Sequence, residues 1–505
     1  MIKPSFLFTD HAVLQWGKEI SVWGECDCDS LTITFLGHSV NANIIDGKFT
    51  AMLPALPANL SGELIFSSSN ETIVLSNVVT GDVYLAGGQS NMEHPLFCSF
   101  YDKEDLVEDD NIRLFTVPRR PYENADIWGW HFYAIKAEDT PWTTYTEKSA
   151  KGFPAVACYF VKRLRKDVDI PIGIINCNWG ATAAESWIDR DRLLQKSMAR
   201  YAVDYYDERF KDLDLELYHR QFEEWHSELM EYIKEHDAML EAEQFGIPFI
   251  LRNFFSKMIK AGPYHYYTPC LHRRTMLARV TPFPICGVLW YQGETNAVYP
   301  KNNPYPKELW YREVMDTLIE DWRDAFKNPE LPFYIVQLSA YPKGNEAGTG
   351  LCKIREAQEE LGKEENIYTV VSVDIGEYDN VHPADKKPVG ERLARTALAT
   401  YYGKDVEWMS PTVRDIEVKD GEIVITFDHA KSLISKGDKA EGFFVTSKNG
   451  STAPATVFLD QNTARIPYSD DIEIVGFCNR NYAKVNVYNE CDLPPFPFEY
   501  SLSSK

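Results

Sequence analysis

The sequence predicts an α/β protein with a central parallel sheet, flanked by an N-terminal and a C-terminal domain that resemble β-sandwiches. Between residues 79 and 403, apolar runs alternate with stretches of helical periodicity, which is typical of parallel strands covered by helices on both faces. Short runs of alternating apolar and polar residues precede and follow this region, as expected for antiparallel strands. The length of 505 residues is too great for one ordinary core and favours two to three domains.

Residues 1–78 form the predicted N-terminal β domain. Turn signals at Asp46-Gly47 and Ser61-Gly62 separate short strand-like runs at the close spacing of a sandwich or small barrel. The predicted strands are Ile20–Trp23, Leu31–Phe35, Ser39–Ala42, Phe49–Leu53 and Glu63–Phe66.

Residues 79–403 form the predicted α/β domain. Helical periodicity between the strands is clearest at Ala155–Leu164 and Glu308–Phe326, and a charged, aromatic-rich helical insertion interrupts the pattern at about 191–245. The predicted strands include Val83–Ala86, Ile112–Thr116, Ile172–Cys177, Ile285–Trp290, Phe333–Gln337 and Tyr368–Val373.

Residues 404–505 return to a β pattern. Ile423–Phe427 and Gly442–Thr446 have strand character, and Asp420-Gly421 and Asn449-Gly450 are hairpin signals. We therefore expect a C-terminal β domain.

Composition excludes several classes of partner. A net charge of −23 repels nucleic acid and anionic membranes, so neither is expected as a partner. The ten cysteines have no C-x-x-C pair and no zinc-ligand spacing, so we interpret them as reduced thiols. The N-terminus has no apolar core of signal-peptide length, and a cytoplasmic location is the expectation unless a leader has been removed.

Two short motifs indicate catalytic chemistry. Gly87-Gly88-Gln89-Ser90-Asn91-Met92 places a serine just after a predicted strand, where glycines allow a sharp turn. Asp379-Asn380-Val381-His382-Pro383 places a carboxylate three residues before a histidine. A serine becomes a nucleophile when a base takes its proton and a third group holds that base. We therefore interpret Ser90, His382 and Asp379 as a triad, although Ser90 could instead cap the following helix.

Two further blocks complete a family resemblance. They are Asn178-Trp179-Gly180-Ala181-Thr182 and Trp290-Tyr291-Gln292-Gly293-Glu294-Thr295-Asn296. With the two motifs above, they resemble the four blocks of the SGNH (GDSL-like) hydrolases, and more narrowly the sialate O-acetylesterase family of carbohydrate esterases. The resemblance extends over nearly the whole chain and implies a flavodoxin-like SGNH domain with accessory β domains, which removes O-acetyl groups from a sugar.

The resemblance also implies residue roles. Ser90 is the nucleophile, His382 the base and later the acid, and Asp379 the residue that orients His382. The oxyanion hole would use the backbone N–H groups of Ser90 and Gly180 and a side-chain amide from the third block.

That amide is Gln292 or Asn296, because the third block departs from the Gly-x-Asn-Asp pattern of the wider superfamily. We favour Gln292, which is nearer the end of the strand. Asp374 ends its strand at the same edge and competes with Asp379 for the histidine, but the three-residue spacing favours Asp379.

Other residues are candidates for the substrate pocket, each with a structural alternative. Gln89 and His94 flank the nucleophile, Glu294 either acts in the site or braces the third block, and Arg355 either meets a substrate carboxylate or forms a helix salt bridge. Four tryptophans either stack on sugar rings or belong to the core: Trp23, Trp128, Trp130 and Trp187. The mechanism requires no metal and no cofactor.

Three functions compete. The first is removal of acetyl groups from sialic acid, and the second is the same chemistry on acetylated xylan or another glycan. The third is a carbohydrate-binding protein with a vestigial site, which the intact Ser90, His382 and Asp379 argue against. The sequence leaves the oligomeric state open.

Overall fold

The computed structural model describes residues 1–120, 141–242, 262–265, 267–300, 302–342 and 350–502. Contacts between Cα atoms divide the chain into two compact units. The first unit contains Met1–Ala155, Asp169–Val288 and Glu313–Leu331, and the second contains Val156–Val168, Leu289–Arg312 and Pro332–Lys505. The three predicted domains with boundaries near 78 and 403 stay a prediction.

The first unit contains two groups of β-strands. One is a four-stranded antiparallel sheet, and the other belongs to a large mixed sheet that extends to the nucleophile motif. The strands are β1 (Ile2–Pro4), β2 (Val13–Gln15), β3 (Ile20–Cys26), β4 (Thr32–Phe35), β5 (His38–Asn41), β6 (Asn43–Ile45), β7 (Lys48–Leu53), β8 (Ser61–Ser67), β9 (Thr72–Gly88), β10 (Asp109–Thr116), β11 (Thr143–Tyr145) and β12 (Ile172–Asn178).

Strand β9 joins two kinds of pairing within one continuous element. Its first half pairs antiparallel with β8, and Asp82–Gly88 pair in parallel with β12, which in turn pairs in parallel with β10. The predicted boundary near residue 78 therefore falls inside a strand of 17 residues. Its pattern changes from alternating burial before Ser76 to continuous burial after Asn77, because the second half is buried on both faces as in parallel sheets.

The second unit has parallel strands followed by antiparallel sheets. Strands β13, β14 and β15 are neighbours in that order, and β14 and β15 are parallel. Three antiparallel groups follow: β16-β17-β22-β21, β18-β24 and β20-β19-β23-β25. The strands are β13 (Gly287–Tyr291), β14 (Phe333–Val336), β15 (Ile367–Val370), β16 (Thr412–Lys419), β17 (Glu422–Asp428), β18 (Leu433–Ser435), β19 (Phe443–Ser447), β20 (Thr452–Pro454), β21 (Phe458–Asp460), β22 (Thr463–Pro467), β23 (Ile472–Phe477), β24 (Val487–Asn489) and β25 (Phe498–Ser501).

Helices connect the strands in both units. The predicted helix at Ala155–Leu164 is confirmed with the same bounds, and the one at Glu308–Phe326 lies at Lys307–Ala325. The α-helices are Ser90–Glu93, Glu147–Lys151, Ala155–Leu164, Arg190–Leu194, Tyr201–Phe210, Leu215–Ala242, Ala278–Val280, Glu294–Val298, Lys307–Ala325, Gly350–Leu361 and Lys387–Thr400. Short 3₁₀ turns occur at Leu96–Cys98, Ala184–Trp187 and Val373–Ile375, and a π-helical turn at Arg273–Leu277.

The α/β class is confirmed, with one correction. The large sheet is mixed rather than wholly parallel, since β11 pairs antiparallel with β10. The predicted helical insertion at about 191–245 contains three helices in its described part, Arg190–Leu194, Tyr201–Phe210 and Leu215–Ala242. Within the described ranges, no helix is long and apolar enough to cross a membrane. The flavodoxin-like layout stays a prediction.

Candidate active site

Ser90 lies at the turn that follows strand β9. Gly88 has a φ of 130°, a conformation that side-chain-bearing residues rarely adopt, and Ser90 then begins the one-turn helix Ser90–Glu93. From Val78 to Glu93 every residue is buried except Ser90, which is partly exposed. The segment around Ser90 is therefore buried, and Ser90 itself is accessible to solvent.

Glu93, which the sequence analysis missed, connects this helix to the second block. Its Oε2 accepts the backbone N–H of Gly180 at 2.6 Å, and its Oε1 lies 2.7 Å from Nη2 of Arg119. The Arg119 Nε donates to the carbonyl of Asn178 at 3.3 Å. Glu93 is only 6% exposed, so this is a buried ion pair that also accepts a backbone hydrogen bond.

This bond conflicts with the predicted role of Gly180. A backbone N–H is a single donor, and in the structure the Gly180 N–H is directed at the Glu93 carboxylate. While that bond is made, Gly180 cannot donate to an oxyanion. Glu93 is only three residues after Ser90 in the sequence, but the spacing alone does not identify Gly180 as its partner.

Aromatic side chains pack behind the second block. His272 is fully buried and lies 4.9 Å from the Trp187 ring in a stacked arrangement and 4.8 Å from the Trp179 ring edge-on. Burial, with the nearby Arg119 charge, lowers the pKa of His272 to about 3. The imidazole is therefore neutral at physiological pH, and its role is packing.

The third block lies in the second unit, immediately after β13. Gln292 and Asn296 are fully buried, and the Gln292 Nε2 donates to the Asn296 Oδ1 at 2.6 Å. The Tyr311 hydroxyl donates to the Gln292 Oε1 at 3.0 Å, and Gln358 donates to its carbonyl at 3.0 Å. Tyr311 and Asn296 thus fix which way the Gln292 amide faces. The amide nitrogen of Gln292 carries two N–H groups, one of which bonds to Asn296.

His382 and Asp379 lie on one turn of the second unit, while Ser90 belongs to the first. The Asn380 side chain organises this turn: its Oδ1 accepts the His382 N–H at 3.0 Å and its Nδ2 donates to the His382 carbonyl at 2.7 Å and to Glu377 at 3.1 Å. Glu377 also accepts the Ala384 N–H at 2.7 Å. His382 is half-buried and is held through its backbone.

Asp379 is exposed, and its carboxylate makes no hydrogen bond or ion pair among the residues that the structure describes. Its role as the orienting acid stays a prediction. The competing Asp374 is paired with Arg392, since each of its two carboxylate oxygens accepts a hydrogen bond from that guanidinium at 2.7 Å. The side chains of that pair are 5% and 6% exposed.

Lys386 is a second residue that the sequence analysis missed. It is fully buried four residues after His382, and its ammonium lies 5.5 Å from the centre of the Tyr291 ring at the end of β13. Burial lowers its pKa from 10.5 to about 7, although the carboxylates of Glu294, Glu377 and Asp385 oppose this shift. A lysine that titrates near neutrality thus lies between the third block and the histidine turn.

Comparisons with known proteins identify similar esterases. A sequence profile described as "carbohydrate esterase, sialic acid-specific acetylesterase" matches residues 254–399. The chain is 27% identical to sialate O-acetylesterase of Rattus norvegicus over 77% of this chain and 69% of that protein. It is 26% identical to sialate O-acetylesterase of Mus musculus over 75% of this chain and 67% of that protein.

A solved structure adds the fold. The crystal structure of a carbohydrate acetylesterase from Xanthomonas citri superimposes with a TM-score of 0.75 at 25% identity, over 99% of this chain and 100% of that one. The chain is therefore similar to sialate O-acetylesterases and, over nearly its whole length, to a carbohydrate acetylesterase. The resemblance inferred from the four blocks is therefore confirmed.

Two of the remaining candidate residues, Arg355 and His94, have structural partners. The buried Arg355 donates to the backbone carbonyls of Cys478, Arg480 and Asn481 at 2.9 to 3.1 Å, so the expectation that it meets a substrate carboxylate is wrong. The ring of His94 bonds to the Cys98 carbonyl at 3.1 Å.

Gln89 is 3% exposed, and its carbonyl accepts the N–H groups of the Ser90–Glu93 helix at Met92 and Glu93. Glu294 lies among the charges around Lys386. Pocket roles for Gln89, His94 and Glu294 stay predictions.

The tryptophan candidates have separate outcomes. Trp187 is fully buried and cannot stack on a sugar, whereas Trp23 is half-buried and packs edge-on against Phe8. Trp128 and Trp130 lie outside the described residues. Among the residues that are described, no group of three or more His, Cys, Asp or Glu side chains is placed to hold a metal ion.

Proposed function

We propose that this chain is a serine esterase that removes O-acetyl groups from a carbohydrate, with O-acetylated sialic acid as the first substrate to test. The observation that carries the proposal is the exposure of Ser90 alone within a buried segment after strand β9. A nucleophile must be reachable by its substrate, whereas a merely structural serine has no need of exposure there. Similarity to sialate O-acetylesterases and to a carbohydrate acetylesterase supports the class of bond that is cleaved.

The mechanism follows from the chemistry of serine. The Ser90 Oγ attacks the acetyl carbonyl while His382 takes its proton, and His382 then gives that proton to the departing sugar oxygen. The product at this stage is an acetyl-enzyme. His382 next takes a proton from water, the hydroxide attacks the acetyl-enzyme, and acetate leaves as Ser90 regains its proton.

Two donors support the oxyanion in this proposal. They are the Ser90 backbone N–H and the side-chain amide of Gln292, whose orientation Tyr311 and Asn296 hold. One such donor is typically worth about 10² to 10³ in kcat. Asn296 positions Gln292, and Gly180 is left out because its N–H is bonded to Glu93.

Asp379 is proposed to orient His382. Its exposed carboxylate would turn towards the imidazole when substrate covers the site, since catalytic hydrogen bonds are often long in free enzymes and tighten in the complex. The second candidate substrate, an acetylated xylan or related glycan, is favoured by the charge of −23, which opposes binding of an anionic sugar.

The test compares the wild type with Ser90→Ala on 4-nitrophenyl acetate and the butyrate ester. We expect turnover of the acetate to exceed that of the butyrate, and Ser90→Ala to lower it by roughly 10⁴-fold or more. Ser99→Ala is a matched control, because Ser99 is a buried serine of the same segment whose hydroxyl bonds to the Pro95 carbonyl at 3.4 Å. It should retain wild-type turnover.

The sugar is identified by measuring acetate release from O-acetylated sialic acid and from acetylated xylo-oligosaccharides. Retained activity in Ser90→Ala would refute the assignment of the nucleophile. A folded wild type that binds these sugars and shows no Ser90-dependent acetate release would instead be a carbohydrate-binding protein.

A further inference from the structure

The turn that carries His382 also carries an exposed aromatic side chain. Tyr378 is 60% exposed and lies between Glu377 and Asp379, four residues before the histidine. A large aromatic ring exposed to water forfeits the free energy of burial that such rings usually supply. Its position on the turn that carries His382 makes Tyr378 a candidate for contact with the substrate.

A second tyrosine, Tyr482, packs against this ring. The Tyr482 ring lies 5.3 Å from the Tyr378 ring with an angle of 86° between their planes. This edge-to-face arrangement is a favoured geometry for aromatic pairs, and it leaves a face of Tyr378 uncovered, as the 60% exposure requires.

The chain around Tyr482 is rigidly held. The buried Arg355 donates to the carbonyls of Arg480 and Asn481, each at 2.9 Å, and Tyr341 donates its N–H to the Asn481 carbonyl at 2.8 Å. The Asn481 Oδ1 accepts the Leu351 N–H at 3.0 Å. Arg355 thus fixes the segment that presents Tyr482.

The chain around Tyr378 is equally constrained. A side chain at Gly376 would place its Cβ 2.1 Å from the Ala340 carbonyl oxygen, so the backbone approaches as closely as only glycine allows. After Tyr378, the hydrogen bonds of Asn380 and Glu377 fix the turn as far as Ala384. Both tyrosines are therefore placed before any ligand arrives, which lowers the entropic cost of binding.

We propose that Tyr378 and Tyr482 form an aromatic platform that stacks on a pyranose ring of the substrate. The inference rests on the proposed function, because it takes the substrate to be a carbohydrate. A pyranose ring presents C–H groups on its faces and hydroxyl groups at its rim. A tyrosine supplies a matching apolar face and a polar hydroxyl, at the cost of fixing only two torsion angles.

Two substrates, one with and one without a sugar ring, distinguish an effect on sugar binding from an effect on ester cleavage. Tyr378→Ala should leave kcat/KM for 4-nitrophenyl acetate unchanged, because that ester has no sugar ring. For the acetylated sugar that the wild type hydrolyses, KM should rise about tenfold, the usual scale for truncating an aromatic contact at the centre of a binding site. Tyr378→Phe retains the ring and should stay within about twofold of wild type.

Tyr401→Ala is the matched control. Tyr401 is another exposed tyrosine of the second unit, paired edge-on with Tyr402 at 4.9 Å at the far end of the helix Lys387–Thr400. It should behave as wild type on both substrates. An unchanged KM for the sugar ester in Tyr378→Ala would overturn the platform, as would an equal loss on both substrates, which would mean that Tyr378 only supports the histidine turn.

Failure of the platform and failure of the proposed function are distinguishable. If the wild type shows no Ser90-dependent turnover, the esterase proposal fails on that measurement alone. The platform is then tested by calorimetric binding of xylotetraose and of N-acetylneuraminic acid to the wild type and Tyr378→Ala. Weaker binding to the variant would support the platform, and no binding to the wild type, or equal binding to both, would refute it.

Discussion

Replacing the buried Lys386 with methionine should change how the stability of the protein depends on pH. The two side chains have similar length and volume, so the change chiefly removes a charge from a fully buried position. The pKa of Lys386 falls from 10.5 to about 7 on folding. Each unit of pKa change is worth about 1.36 kcal/mol, so burying the charged rather than the neutral form costs on the order of 5 kcal/mol.

The direction of the pH effect follows from proton binding. Below pH 7 both the folded and unfolded states hold the Lys386 proton, so the whole cost is present. Between pH 7 and 10.5 the unfolded state binds one proton more than the folded state, and the free energy of unfolding therefore rises with pH. Between pH 7 and pH 9 this gain amounts to about 2 kcal/mol in the wild type and is absent from Lys386→Met.

The assay is urea unfolding of both proteins at pH 6, 7, 8 and 9. Other titrating groups contribute almost equally to both proteins, so the difference in their free energies of unfolding isolates Lys386. We expect that difference to be nearly constant from pH 6 to 7 and to shift by about 2 kcal/mol in favour of the wild type by pH 9. Lys363→Met is the control, since Lys363 has an exposed side chain paired with Glu360. Parallel curves for wild type and Lys386→Met would refute the inference that Lys386 titrates near neutrality.

Substitutions of Glu93 and of Asp379 test two parts of the proposed site. Glu93→Ala leaves Arg119 without its buried partner and the Gly180 N–H without its acceptor, and should lower the free energy of unfolding by about 3–5 kcal/mol. Glu93→Gln keeps an acceptor oxygen for that N–H and should lower the free energy of unfolding by less. Equal losses for the two variants in urea unfolding would contradict this. Asp379→Asn should reduce kcat for 4-nitrophenyl acetate less than His382→Ala does, because the orienting acid is less essential than the base. The reverse order would exclude Asp379 as the acid.

Much of the secondary structure was predictable because buried positions recur along a helix or strand with a period that the sequence shows as spaced apolar residues. The helix Ala155–Leu164 follows the predicted bounds, and strand β12 extends the predicted Ile172–Cys177 by one residue. The boundary near residue 78 was not predictable in this way. The alternating half and the continuously apolar half of β9 look like two strands of different domains, whereas the chain passes from one environment to the other without a break.

The candidate residues Ser90, His382 and Asp379 could be proposed from the sequence because they stand in short motifs. The partners that hold those motifs could not, since each joins segments that are far apart in the chain. Glu93 bonds to Gly180, and Lys386 lies near Tyr291. Arg355 illustrates the same limit: the sequence offered a substrate carboxylate or a helix salt bridge as its partner, but its partners are backbone carbonyls more than a hundred residues away.

The ion pair of Glu93 and Arg119 has a consequence for the chemistry proposed for Ser90. A lone carboxylate in the same one-turn helix as the nucleophile would repel the negative charge that develops on the acetyl oxygen, and the repulsion would be strong in a buried environment. Arg119, 2.7 Å from that carboxylate, balances the charge locally. Glu93 can therefore hold the second block through the Gly180 N–H without placing a net negative charge beside the developing oxyanion. On this argument Arg119 is as necessary to the proposed site as Glu93, although it contributes no atom to the reaction.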